Sequence, residues 1–360
     1  MLTYSIMKKI YFCTLLVFGL SLSGFAQKEK IADAQIELTK GNVEVSLQIL
    51  NSIEYLIINA KEEDKSDFYF LKAKSYIALA NKKIDAPKNM ALAVACYKEI
   101  LVFEIDSNKF KYAVQARQGI IDLKNELEIS AATDNNARNF SESANKMVYL
   151  YEMDNKDTVQ LYNAASNYFN AKQYDLALKN YELLKSLKYT GNALEYYAVN
   201  KNTNQEELFS SLRKRDLSVK EGSHIEPRNT KASSKKVEIL KKIAFLYAEK
   251  GDLTNAEINY KTLVDLNPND VDNYIDLASI VLDRKKDISS KMSMLGTSVE
   301  DAKQYDVLKN QKDDLVKSAV VYLEKALKLD PSNSDVSKLL MNLYRALDMM
   351  DKYEALKTKS

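Results

Sequence analysis

The chain of 360 residues is 46% hydrophobic and 28% charged, a balance that excludes a disordered chain and allows one large domain or two ordinary ones. Its 8 glycines and 4 prolines are too few for the many turns of an all-β fold, so the composition favours long helices. The formal net charge of +2 gives no strong long-range attraction to nucleic acid or anionic lipid, and we expect no nucleic-acid partner.

Residues 1–26 predict a secretory signal peptide. The Lys8–Lys9 pair precedes an apolar run over residues 10–20, and Gly24–Ala26 has small residues at both ends of a cleavage motif. Cleavage there leaves Gln27 as the first mature residue. An uncleaved membrane anchor is the alternative, although the run is short for a hydrocarbon core of about 30 Å. We therefore expect export by a Sec-type signal to the periplasm or the cell envelope.

Residues 27–157 predict divergent helical repeats. Apolar and small residues recur at helical spacing in three segments, each of which predicts a helix pair: 28–58, 69–100 and 110–153. The middle pair is expected to have a longer internal loop around Asp85–Pro87. Cys96 is the only cysteine after the predicted signal peptide. An internal disulfide and a cysteine-based metal site are therefore excluded, and we expect this residue to be buried.

The clearest repeat begins at Val237 and predicts two amphipathic helices joined by a tight turn at Gly251. Glycine commonly follows the end of a helix, which places the turn there. Small and aromatic residues mark the two helices, and a proline follows the second: Ala244, Tyr247, Ala256, Tyr260 and Pro268. The small residues let the paired helices approach closely, and the tyrosines fill the space beside them.

The same frame fits two further units. The unit that begins at Thr158 has its small and aromatic residues at Ala165, Tyr168, Ala177 and Tyr181. The unit that begins at Val271 has the corresponding residues at Ala278, Ala319 and Ala326, followed by Pro331. The wide spacing between Ala278 and Ala319 predicts an insertion between the two helices of that unit.

These residues, in this order, resemble the tetratricopeptide repeat pattern, over roughly residues 158–345. The resemblance implies an all-α fold, a tetratricopeptide-type α-solenoid of five to six antiparallel helix pairs. Residues 334–358 predict a terminal pair that shields the end of the stack. The whole chain also resembles exported tetratricopeptide proteins of Bacteroidetes-type bacteria. That second resemblance implies a periplasmic or cell-envelope protein of a Gram-negative cell and no known reaction.

Residues 158–360 thus form a region of tetratricopeptide units with two insertions, at about 190–236 and 284–317. We expect the first insertion to hold a helix around Leu194–Leu212 and then a polar surface loop. The second insertion predicts an extra helix that lengthens the second helix of its unit. Its methionines, Met292 and Met294, are expected to pack against a neighbouring unit, with an adaptable contact surface as the alternative.

The search for catalytic residues finds no complete constellation. His224 is the only histidine, so a multi-histidine metal site is excluded. No glycine-rich phosphate loop, dinucleotide fingerprint or nucleophile elbow is present. We expect no enzyme activity, no catalytic or metal-binding residues and no cofactor. A hydrolase that uses only Asp and Glu remains an alternative, since sequence does not show which carboxyl groups are buried.

In the family that this chain resembles, the first helix of each pair lines a concave face. The resemblance therefore places six candidate partner-binding residues on that face: Tyr162, Phe169, Lys241, Phe245, Ile275 and Leu282. Some members grip a terminal carboxylate with paired Lys and Asn, but here Phe245 stands in place of the Asn, so we predict no such clamp. The alternative is that the two insertions fold into the groove and cover these side chains.

A row of apolar side chains along a groove suits an amphipathic helix or an extended peptide. We therefore expect a protein–protein interaction scaffold or adaptor in the bacterial cell envelope, in an envelope-associated complex with a protein or peptide partner. The alternative function is a carbohydrate- or nutrient-binding envelope protein on the same helical scaffold. The absence of Trp counts mildly against that alternative, because sugar-binding platforms commonly use aromatic faces.

Overall fold

The computed structural model of the protein describes residues 27–191, 194–209 and 211–358. These residues form two compact units, of which the first ends at Gln173 and the second begins at Tyr174. The predicted signal peptide, residues 1–26, lies outside the described residues. Within the described ranges, no helix combines the length and the apolar composition that crossing a membrane requires.

The described part of the first unit contains seven helices. They are α1 (27–39), α2 (Val43–Ile57), α3 (Glu62–Asn81), α4 (Ala86–Asp106), α5 (Ala113–Asn136), α6 (Phe140–Met153) and α7 (Thr158–Asn170). The helix pairs predicted over residues 28–58, 69–100 and 110–153 are thereby confirmed. α1 to α3 share an apolar core around Leu50 and Phe68, and α3 to α6 share another around Cys96 and Ile100.

The connection between α3 and α4 is a tight turn. α3 continues to Asn81 and α4 begins at Ala86, so the longer loop expected around Asp85–Pro87 was wrong. Pro87 occupies the first turn of α4, where its missing N–H removes no helical hydrogen bond. The added residues lengthen the two helices instead.

The second unit contains eight helices and one small sheet within the described ranges. Its elements are α8 (Tyr174–Ser186), β1 (Leu194–Asn200), β2 (Glu206–Phe209), α9 (Leu212–Lys220), β3 (His224–Lys231), α10 (Lys236–Glu249), α11 (Leu253–Leu266), α12 (Val271–Ser293), α13 (Val299–Leu329), α14 (Ser334–Ala346) and α15 (Met350–Lys357). The predicted terminal pair over residues 334–358 is confirmed as α14 and α15.

The first insertion folds as a small module of three strands and one helix, and the helix predicted around Leu194–Leu212 was wrong. The sheet is antiparallel in the order β2-β1-β3. Aromatic and β-branched side chains such as Tyr196 and Val199 suit β1 to a strand. α9 packs against the sheet, where the Arg215 guanidinium lies 5.8 Å from the centre of the Tyr196 ring.

The second insertion lengthens both helices of its unit. α12 continues to Ser293, and α13 begins at Val299 and runs for 31 residues, so the predicted extension of the second helix is confirmed. A capping box between Ser298 and Asp301 starts α13. Met294 lies at the tip of this helical hairpin with 80% of its surface exposed, so the expected core position was wrong for this residue.

The small residues of the repeat pattern lie where helices touch. The alanines assigned to packing have no exposed surface: Ala165, Ala177, Ala244, Ala256, Ala278, Ala319 and Ala326. Three of the four tyrosines assigned to packing are buried, Tyr168, Tyr181 and Tyr260, and Tyr247 is half-buried. Pro268 and Pro331 are exposed in the connections that follow α11 and α13.

Candidate partner-binding surface

The six side chains predicted to bind a partner are divided between the two units. Tyr162 and Phe169 lie on α7 in the first unit, whereas Lys241, Phe245, Ile275 and Leu282 lie on α10 and α12 in the second. Each unit therefore carries its own part of the predicted surface.

Polar contacts hold α7 against α6. The Asn167 side-chain amide donates a hydrogen bond to Ser143 Oγ at 3.2 Å, and the Tyr168 hydroxyl donates to Asn145 Oδ1 at 2.7 Å. These contacts fix the rotation of α7 about its axis. Tyr162 and Phe169 are both half-buried, so each keeps part of its ring exposed to solvent.

Phe245 on α10 is the most exposed of the four candidate side chains in the second unit, at 37%. Its ring meets Tyr174 of α8 edge to face, with 6.3 Å between ring centres. The neighbouring residues Ala244 and Leu246 are fully buried. Since residues one position apart point in different directions around a helix, their burial directs Phe245 away from the core.

Lys241 is held by an ion pair with a residue just before α12. Its Nζ lies 2.9 Å from Asp270 Oδ2. Asp276 lies nearby on α12, and burial, followed by the charge of Asp272, raises the pKa of its carboxyl, while Lys241 lowers it. A lysine already paired within an acidic group of side chains attracts a further carboxylate weakly. The lack of a carboxylate clamp stays a prediction.

Ile275 and Leu282 both lie on α12, two turns apart. Both are half-buried and pack against the apolar core that α12 shares with α13 and α14. They therefore form a partly covered apolar strip, whereas Phe245 on α10 is more exposed to solvent than either of them. Among the described residues, the contacts of the sheet module are mainly those among its three strands and those between the strands and α9.

Residues 238–270, which span α10 and α11, match the family model of the tetratricopeptide repeat. The protein contains a tetratricopeptide repeat. The match falls on the unit that shows the pattern of small and aromatic residues most clearly, with Ala244, Ala256 and Tyr260 in contact in one apolar cluster. The repeat suggests a protein–protein interaction scaffold, and scaffold proteins built on it are generally not enzymes.

No curated protein matches the sequence. Among solved structures, the chain is similar to a tetratricopeptide repeat protein from Bacteroides fragilis at 16% identity, with a TM-score of 0.32 and coverage of 76% of this chain and 98% of that one. It is also similar to MamA from Desulfovibrio magneticus at 12% identity, with a TM-score of 0.32 and coverage of 73% and 97%. At such low values the likeness carries no information about the partner.

His224, expected in a polar loop, begins β3 and is only 9% exposed. Its Nε2 lies 3.1 Å from Glu207 Oε2 of β2, and its Nδ1 lies 2.9 Å from Ser223 Oγ. The hydrogen bond from His224 lowers the pKa of the Glu207 carboxyl, and a bond from Asn200 adds to this. These contacts link the two outer strands across β1, which gives His224 a structural role.

The contacts that sequence reasoning missed join residues far apart in the chain. Phe245 touches Tyr174, and Lys241 pairs with Asp270, and no local motif signals either contact. Within the described ranges, no group of three or more His, Cys, Asp and Glu side chains is arranged to hold a metal ion.

Proposed function

We propose that the protein is an exported scaffold that binds a partner protein in the bacterial cell envelope through the first helices of its repeats. The observation that carries this proposal is the position of Phe245 on α10. The small residues beside it, Ala244 and Ala256, are fully buried in the repeat, whereas Phe245 is 37% exposed. An exposed aromatic side chain on a rigid helix is typical of the anchor residues of protein interfaces.

The proposed ligand is a peptide segment of the partner, either an amphipathic helix or an extended strand. In the second unit, Phe245 supplies an aromatic contact, and Ile275 and Leu282 supply apolar ones. Lys241 is neutralised by Asp270, so the contact depends on apolar side chains of the peptide more than on its terminal carboxylate.

Export is supported by the sequence of residues 1–26. Basic residues precede an apolar run and a small-residue cleavage motif, the order found in secretory signals. We expect N-terminal sequencing of protein from the envelope fraction to begin at Gln27. Protein that stays in the cytoplasm with residues 1–26 intact contradicts this part of the proposal.

The test of binding is affinity capture from envelope extract with the chain that starts at Gln27 as bait. Two variants, Phe169→Ser and Phe245→Ser, probe the predicted surface in the two units. The matched control is Ile258→Ser, because Ile258 is 55% exposed on α11, the second helix of the same repeat. We expect a partner that the native chain and the control retain and that the Phe245 variant loses.

Retention of the partner by every variant contradicts binding through the first helices. Glycan-array binding that is lost in the same Phe variants contradicts a protein ligand and supports the carbohydrate-binding alternative. Each variant must melt at a temperature close to that of the native chain. Loss of capture is then attributed to the changed surface and not to unfolding.

A further inference from the structure

The last three helices of the second unit form a groove that the surface on α10 and α12 does not include. α13, α14 and α15 line it, and its volume is about 790 Å³. Ser337 and Leu340 of α14 lie at its base with 7% and 0% exposure. α15 is eight residues long and has no buried residue, so it covers the side of α14 only in part.

The groove is elongated along α14. Residues from Ser334 to Tyr344 line it with at least one side chain in every turn, which corresponds to about 15 Å at 1.5 Å per residue. α13 and α15 each add side chains three and four residues apart, within Glu324–Lys328 and Lys352–Leu356. Rows of side chains at this spacing are the ridges between which another helix packs. The dimensions suit about three turns of helix.

The base of the groove is mostly apolar, with Ser337 as a polar residue in it, and its rim is basic. Leu327 and Met341 are half-buried and supply apolar surface inside it. Among the described residues, three lysines line it, Lys328, Lys338 and Lys352, against one acidic residue, Glu324.

Glu324, the one carboxylate among the described lining residues, already has hydrogen-bond partners. Glu324 Oε1 accepts hydrogen bonds from Lys352 Nζ at 2.7 Å and from the Tyr344 hydroxyl at 2.8 Å. Lys338 reaches Asp335 at 3.6 Å, with both side chains mostly exposed, and such pairs contribute little. The exposed cations of Lys328 and Lys338 therefore give the rim a net positive charge, which acidic side chains complement.

We propose that the groove of α13, α14 and α15 binds an acidic amphipathic helix of a partner protein. Apolar side chains of that helix contact Leu327 and Met341, and its Asp or Glu side chains meet Lys328 and Lys338. The inference rests on the proposed scaffold function and adds to it a second contact surface with the chemistry of its ligand.

The test uses a displayed library of helical peptides of about 15 residues, or four turns, selected for binding to the protein that lacks only residues 1–26. The peptides vary Asp, Glu, Lys, Ser and Leu at every position. We expect the recovered peptides to share a leucine stripe flanked by Asp or Glu. Their affinity is expected to fall at least tenfold for the double variant Lys328→Glu/Lys338→Glu, and to weaken as salt rises.

A matched double variant, Lys309→Glu/Lys325→Glu, makes the same charge change at exposed positions of α13 that do not line the groove. It is expected to bind the recovered peptides as the native protein does. A third variant, Met341→Gln, changes the base of the groove without changing charge and is expected to weaken binding at least threefold. Thermal melts establish that all variants are folded.

The proposal is overturned if the recovered peptides are basic or uncharged, if the two double variants bind them equally, or if no peptide is enriched. A further outcome is self-association of the protein that only the groove variants abolish. That result assigns the groove to a second copy of the chain and also overturns the proposal. The Phe245→Ser variant separates the two proposals, because it should lose envelope capture and keep peptide binding. Failure of the groove proposal is therefore distinguishable from failure of the proposed scaffold function.

Discussion

Glu104, close to the end of α4, is 2% exposed, and its carboxylate accepts hydrogen bonds from the backbone N–H groups of Lys111, Tyr112 and Ala113. Ala113 is the first residue of α5, Tyr112 is its N-cap and Lys111 precedes the cap. The first N–H groups of a helix lack intrahelical partners, and the helix dipole there favours a negative charge. One buried side chain of α4 therefore caps the next helix and fixes the junction between them.

We expect Glu104→Gln to destabilise the first unit by roughly 1–3 kcal/mol, because the amide removes the charge and presents one acceptor oxygen in place of two. Urea denaturation followed by circular dichroism measures the change. Glu126→Gln, at an exposed position of α5, is the control and should be close to neutral. Equal midpoints for the two variants contradict the capping role of Glu104.

The thiol of Cys96 is predicted to be inert in the folded protein. Burial raises its pKa to about 12, and only the thiolate reacts with alkylating agents. The pKa of this thiol is therefore higher in the folded chain than in the unfolded chain, where it is about 8.5. The contribution of the buried thiol to the free energy of unfolding is fully present below the unfolded pKa and is lost as the pH rises towards the folded pKa. At pH 8 we expect no alkylation by iodoacetamide without denaturant and complete alkylation in urea. Fast alkylation of native protein contradicts the buried position.

At the scale of elements, the repeat pattern located most helices. Thr158 and Val271 begin α7 and α12, where the sequence frame placed them. The helices could be located from the sequence because the pattern is local: it consists of small residues at helix contacts, aromatic residues beside them and a break between helices. The sheet module was not predictable in this way, because β1 pairs with β3 about thirty residues later, and its polar sequence lacks a clean alternation of apolar and polar residues.

The contact between α10 and α11 depends on small side chains. Ala256 on α11 has no exposed surface and lies in one apolar cluster with Ala244 and Leu240 of α10. We expect Ala256→Glu to destabilise the second unit by more than about 3 kcal/mol, because it forces a charge and extra volume into this contact. Thr262→Glu, on the exposed side of α11, is the control. An unchanged melting temperature for Ala256→Glu contradicts the repeat frame.

The sheet module should be removable without unfolding the repeats. The backbone N–H of Lys235 donates to the Thr190 carbonyl oxygen at 2.9 Å, so the chain enters and leaves the module at adjacent points. We expect a short Gly-Ser linker in place of residues 192–233 to preserve the helical circular dichroism signal and a cooperative melt. Loss of the cooperative melt shows that the module supports the helices and contradicts this account.

At the scale of the whole molecule, the sequence predicted a solenoid of helix pairs, whereas the three-stranded sheet of the first insertion was not predicted. The candidate partner-binding surface stays a prediction. Sequence spacing identified which helices are first in each pair, and the resemblance to the tetratricopeptide family then implied that Phe245 and Lys241 are candidates for the concave face. It did not show that Asp270 neutralises Lys241 or that α13, α14 and α15 leave a groove, because both features depend on how separate helices pack. The division of the candidates between two units was equally beyond the sequence pattern.

The central claim is that the first helix of the repeat contacts a partner protein, and site-specific photo-crosslinking in living cells tests it most directly. Benzoylphenylalanine replaces Phe245 on α10 in one strain and Ile258 on α11 in another. The account predicts one dominant crosslinked protein at position 245 that is missing at position 258. Crosslinks of equal strength at both positions, or a crosslink only at position 258, contradict binding through the first helix.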